Sequence, residues 1–60
     1  MKGNKNYKAI YLIHFDEYEI HKHIEVFHNV TGANEVLNTI YTKHEGKNVE
    51  VIDIYEDVNN

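Results

Sequence analysis

Tyr7-Lys8-Ala9-Ile10-Tyr11-Leu12-Ile13-His14-Phe15 is a β-branched and aromatic run in which neither alternating set of positions is polar. A strand of this kind expects apolar cover on both of its faces. The stretch that follows Asp16-Glu17 behaves differently. From Tyr18 to His28 the residues alternate, with Tyr18, Ile20, Ile24 and Val26 on one side. Glu19, His21, His23, Glu25 and Phe27 lie on the other, and Lys22 interrupts the apolar side. A period of two predicts a strand with one buried face, and the two runs together read as a hairpin over about 7–15 and 18–28.

Asn29-Val30-Thr31-Gly32 ends that alternation, and the period becomes helical over about 32–45. Ala33, Val36, Leu37, Ile40, Tyr41 and His44 fall on one stripe. Thr31 is the expected N-cap, Glu35 and Lys43 complement the helix dipole, and Gly46 suits a left-handed position after the last turn. A third strand, Val49-Glu50-Val51-Ile52-Asp53-Ile54-Tyr55 within about 48–56, changes apolar phase between Val51 and Ile52. That change marks either a bulge or a strand with apolar contacts on both sides.

The expected architecture is therefore α+β: a small two-layer β-β-α-β domain spanning residues 1–60. Its sheet has three antiparallel strands in the order 2-1-3, which puts the most apolar strand at the centre. The right-handed crossover rule fixes the side on which the single helix lies. One face of the sheet is left without cover. From the alternation of the second strand, the helix is expected to pack on Ile20, Ile24 and Val26.

Which side of the first strand joins them depends on the hairpin loop, since a slip of one residue exchanges the two faces. A loop of two or four residues puts Ala9, Tyr11 and Ile13 under the helix and leaves Ile10, Leu12 and His14 beside His21 and His23. A three-residue loop leaves Tyr7, Tyr11, Ile13 and Phe15 outside. Asp16-Glu17 lacks the glycine or asparagine of a two-residue primed turn, so both registers stay open. In either, the open face mixes apolar, aromatic and histidine groups, and the candidate binding residues are Tyr11, His21, His23, Phe27 and Tyr55.

Sixty residues with a formal charge of -4 allow one thin core, because a chain this short buries only about 60% of its unfolded surface. Small scaffolds commonly need a disulfide, a metal or a partner subunit. Cysteine is absent, which removes disulfides and thiolate metal sites and fits a reducing compartment. Self-association is the expected reinforcement. No apolar run approaches a membrane span and the first residues do not form a signal peptide, so a cytoplasmic protein without membrane contact is expected. Abundant lysine, asparagine and isoleucine, with no arginine, proline, serine, glutamine or tryptophan, match AT-rich coding sequence of the kind found in low-GC bacteria and their phages.

The chemistry available is limited. With neither cysteine nor serine and no glycine-rich phosphate loop, no catalytic set is evident, so a non-enzymatic protein without cofactors is expected. His21 and His23 on one side of a strand are candidate metal ligands, or groups that make an interface sensitive to pH. Ten carboxylates against six lysines oppose direct nucleic-acid binding, although aromatics on a sheet could stack on single-stranded bases. The carboxylates Glu19, Glu25, Glu50, Asp53, Glu56 and Asp57 instead suggest an acidic surface that occupies a basic groove of a target protein by mimicking nucleic acid, as a phage-type or mobile-element inhibitor would. The leading expectation is a small acidic protein-binding module that associates with itself through the open sheet face. Its other partner would be a target protein. A histidine-based metal- or pH-responsive module and a single-stranded nucleic-acid-binding sheet are the alternatives.

Overall fold

In a computed structural model, which describes residues 3–58, the chain forms β1 (Lys5–His14), β2 (Ile20–Val30), α1 (Ala33–Lys43) and β3 (Asn48–Glu56). The strands make one antiparallel sheet in the order β2-β1-β3, with β1 central. This is the α+β architecture that the sequence predicts. The Cα trace measures 38 × 23 × 11 Å, the thickness of one helix layered on one sheet. Among the described residues no helix is long and apolar enough to cross a membrane.

The hairpin loop has three residues. Phe15 and Glu19 still pair, with the Phe15 amide donating to the Glu19 carbonyl at 2.9 Å. No residue of this loop takes a positive φ, and Asp16 holds it in another way. Its Oδ1 accepts from the amides of Tyr18 and Glu19, both at 2.7 Å, and closes the turn through its side chain. The odd loop sets Tyr11 opposite His23, Ala9 opposite Glu25 and Tyr7 opposite Phe27.

This register overturns the expectation that α1 packs on Ile20, Ile24 and Val26. The helix lies instead on the face that carries Ala9, Tyr11, Ile13 and Phe27, which are buried together with Val30, Val36 and Ile40. Tyr7, Val49, Val51 and Ile54 pack against this core. The reason lies in β1 and β3. On β3 the apolar set Val49, Val51 and Ile54 is opposite Ile13, Tyr11 and Ala9, whereas Asn48, Glu50 and Asp53 are opposite His14, Leu12 and Ile10. Two strands therefore agree on the inner face, and the edge strand β2, tied to them by an odd loop, turns its aliphatic side outward.

Two bulges adjust the ladder. Between Ile10 and Tyr11 the β3 partner jumps from Asp53 to Val51, so Ile52 is the extra residue behind the phase change. The second bulge lies between the pairs Lys5–Val30 and Tyr7–Phe27, with Asn29 left-handed at φ 60°. Asparagine tolerates that conformation, and Asn6 Oδ1 accepts from its amide at 3.4 Å. The extra residue turns Val30 into the core. It also carries β2 through to Val30, past the point where alternation fails.

The helix ends differ slightly from expectation. Gly32, with extended backbone and no side-chain cap, precedes the first turn in place of Thr31. Thr31 stands one residue earlier and donates from both its amide (2.8 Å) and its hydroxyl (2.9 Å) to Glu35 Oε1. After the C-cap His44, Gly46 takes φ 87°, and the Lys47 amide closes on the His44 carbonyl at 3.0 Å. Val36 and Ile40 are the fully buried helix residues, while Ala33 and Tyr41 remain exposed.

Candidate binding surface

Residues directly opposite across an antiparallel pair share a face, so the ladder defines the uncovered surface row by row. Along the sheet the rows are Val26–Lys8–Tyr55, Ile24–Ile10–Asp53, Lys22–Leu12–Glu50 and Ile20–His14–Asn48, each in the order β2-β1-β3. Ile24 is 59% exposed, Ile20 46%, Tyr55 42% and Val26 39%. Ile10 and Leu12 form the half-covered middle. Val26, Ile24, Ile10 and Leu12 are neighbours on β2 and β1 and form an apolar patch, with Ile20 and Tyr55 at its margins, unlike the isolated aliphatics of an ordinary surface.

Charge is arranged asymmetrically across this band. In the Leu12 row, Lys22 stands on the β2 side and Glu50 on the β3 side. Glu50 Oε1 also lies 2.9 Å from His14 Nε2. Asp53 extends the anionic edge one row further along β3.

Of the residues expected to form the binding face, Tyr55 alone is on it. Tyr11 and Phe27 are 1% and 8% exposed beneath α1, which also removes the base-stacking platform they would have supplied. His21 and His23 lie on the same inner side, opposite Ile13 and Tyr11. His21 Nε2 is 3.0 Å from Glu19 Oε2, and its ring is 4.6 Å from that of Phe15. His23 stacks on Tyr11 at 5.2 Å with an interplanar angle of 6°. No group of three or more histidine or carboxylate side chains suited to a metal ion occurs among the described residues.

The acidic residues do not form one surface. Glu50 and Asp53 edge the open face, Glu25 and Glu56 are opposite Ala9 and Tyr7 on the helix side, and Glu19 pairs with Phe15 at the base of the hairpin loop. Asp57 follows β3, its amide donating to the Asn6 carbonyl at 2.7 Å.

No protein-family model, curated protein or solved structure matches the chain.

A second constellation, missed in the sequence, ties α1 to β2. The buried Tyr11 hydroxyl donates to Glu25 Oε1 at 2.8 Å, and its oxygen lies 3.1 Å from His44 Nε2. A phenol has one proton, already given to Glu25, so His44 donates through Nε2–H. Lys43 Nζ closes the set at 2.7 Å from Glu25 Oε2, and the His23 and His44 rings are 5.8 Å apart. Burial and the Glu25 carboxylate push the Tyr11 phenol up to about 12. Burial would raise Glu25, but the hydrogen bonds from Lys43 and Tyr11 outweigh it and hold the carboxyl below its usual range. His44 is lowered by burial and by the neighbouring charges of Lys43, His23 and Lys47. Only the tertiary fold brings these five side chains together, from three separate elements.

Proposed function

We propose that this chain is a non-enzymatic protein-binding module that works through its uncovered sheet face and associates with itself there. The observation that carries this reading is the aliphatic band of Ile10, Leu12, Ile20, Ile24 and Val26 with Tyr55, lying on a face over which no described element packs. A solvated face would need only polar residues at these positions, and the side of β2 turned toward the helix holds three of them, His21, His23 and Glu25. Aliphatic residues on both sides of β1 are the pattern of a strand that is covered twice.

The test is sedimentation velocity across a range of concentrations. Wild-type protein should shift from monomer to dimer, and Ile24→Asp, which places a charge in the middle of the band, should remain monomeric while keeping its circular dichroism spectrum. A wild-type chain that stays monomeric at millimolar concentration would overturn self-association. Binding to a target protein, in the manner of a small inhibitor, would use the same face in monomeric form or the exposed exterior of α1 in the dimer.

A second reading has its own observation. Two histidines, a tyrosine, a glutamate and a lysine join the C-terminal end of α1 to β1 and β2, and protonation of this set would act at the place where the helix is clamped. This supports a pH-responsive module. It predicts loosening of α1 from the sheet as His44 gains a proton, read by amide exchange in the helix.

A further inference from the structure

We infer that two copies pair open face to open face about a twofold axis running along β1, so that Lys22 of each copy meets Glu50 of the other. The inference rests on the self-association proposed above and adds its geometry. A twofold axis lying between two packed sheets and parallel to the central strand keeps each residue at its own level along the strands while exchanging left for right. β2 of one copy then lies over β3 of the other. Because Lys22, Leu12 and Glu50 form one row, this operation sets the lysine over the glutamate twice, with the two Leu12 side chains meeting on the axis between them. Ile10 meets its own copy one row away, and Val26 falls over Tyr55.

The alternative axis, in the same plane but across the strands, does the opposite. Placed at the Leu12 row it stacks Lys22 on Lys22 and Glu50 on Glu50. Placed between that row and the Ile10 row, it brings Glu50 against Asp53. These two versions oppose like charges, which is unfavourable at an interface. Placed between the Leu12 and His14 rows, it sets Lys22 on Ile20 and Glu50 on Asn48 and leaves both charges without a partner across the interface. The axis along β1 has its own costs, since it brings together the two Lys8 side chains and the two His14 side chains and sets Ile24 over Asp53. Lys8 and His14 stand at the two ends of the band, where the long lysine stems let the ammonium groups reach water, and Asp53 lies on the β3 edge.

Size and spacing agree with this arrangement. Aligned sheets pack roughly 10 Å apart, a gap that an extended lysine facing an extended glutamate bridges. A face three strands wide and about eight residues long buries on the order of 500 Å2 per copy, about 1,000 Å2 in total, at the lower limit of a specific interface. Such a dimer is weak enough for two charge pairs to matter.

The experiment exchanges the charges. Lys22→Glu alone and Glu50→Lys alone should each weaken dimerisation about tenfold, because each homodimer would oppose two like-charged pairs. An equimolar mixture should restore wild-type affinity as a one-to-one heterodimer, seen by sedimentation and native mass spectrometry. Both positions are exposed, and circular dichroism checks that each variant folds. Independently of any variant, carbodiimide coupling of mixed 14N- and 15N-labelled wild-type chains should give a Lys22–Glu50 peptide joining labelled to unlabelled protein. If the variants dimerise as wild type does, if the mixture gains nothing, or if the mixed cross-link is missing from a dimer, the axis is wrong while self-association stands. If wild type is monomeric throughout, both fail together.

Discussion

Tyr11 occupies an unusual position for a residue in the middle of a small core. Its ring is buried between Ala9 and Ile13 on the inner face, yet its hydroxyl extends to the β2 edge and is bonded to Glu25 and His44. Removing that hydroxyl leaves the ring packing intact and strips one donor from Glu25 and one acceptor from His44. Tyr11→Phe should therefore cost about 1.5–3 kcal/mol in urea unfolding at neutral pH, the usual effect of losing a hydrogen bond to a charged group. The same substitution should alter the alkaline limb. A phenol raised from 10.0 to about 12 in the fold contributes stability that is complete below its unfolded value and is lost as pH rises from about 10 through its folded value. Tyr11→Phe should lack this loss, which the difference between the two urea midpoints against pH would show.

The acid side has the opposite sign and different residues. His44 is lowered from its ordinary 6.5, so its contribution is complete above that value and is lost as pH falls below it. Glu25, lowered from 4.5, adds a second loss at more acid pH. His44→Gln should remove the first step and leave the second. A midpoint curve that still falls from pH 6.5 in the variant, as steeply as in the wild type, would remove His44 as its source.

The elements were largely legible in the sequence, while the faces they present were not. Three strands, one helix and the order 2-1-3 follow from period, length and crossover. Phe27 and Val26 are assigned to opposite sides correctly by alternation alone. Alternation within β2 does not say which side is covered, because the covered side is chosen by the sum over all three strands. Ala9, Tyr11 and Ile13 with Val49, Val51 and Ile54 outweigh Ile20, Ile24 and Val26. The deciding local detail was the odd loop closed by the Asp16 side chain, which has no glycine to announce it. The Tyr11–His44–Glu25–Lys43 set was unreadable for a related reason, since its members are distant in sequence and meet only once α1 is on the inner face. At this scale Ile40, wholly buried on α1, tests the reversal directly. Ile40→Ala should cost about 2–4 kcal/mol, measured by thermal and urea unfolding. Ile24→Ala on β2, which period alone would have placed beneath the helix, should cost the isolated monomer well under about 1 kcal/mol, as an exposed substitution does.

For the whole molecule, stability and association are a single problem. Among the described residues seven buried side chains form the core, and a domain of this size sits near the lower limit for folding alone. If the open face is covered only in the dimer, part of the apolar burial that holds the fold depends on protein concentration. Unfolding then converts a folded dimer to two unfolded chains, and mass action raises the melting temperature as the protein is concentrated. For a chain of sixty residues the shift should be about 6 °C for each tenfold increase within the dimeric range. Ile24→Asp, which leaves the core untouched, should melt at a temperature independent of concentration and close to that of dilute wild-type protein. Circular dichroism melts of both proteins over two decades of concentration make the comparison. A wild-type melting temperature that stays constant where sedimentation shows a dimer would mean that the contact adds nothing to the fold. The aliphatic residues of β2 would then serve association alone.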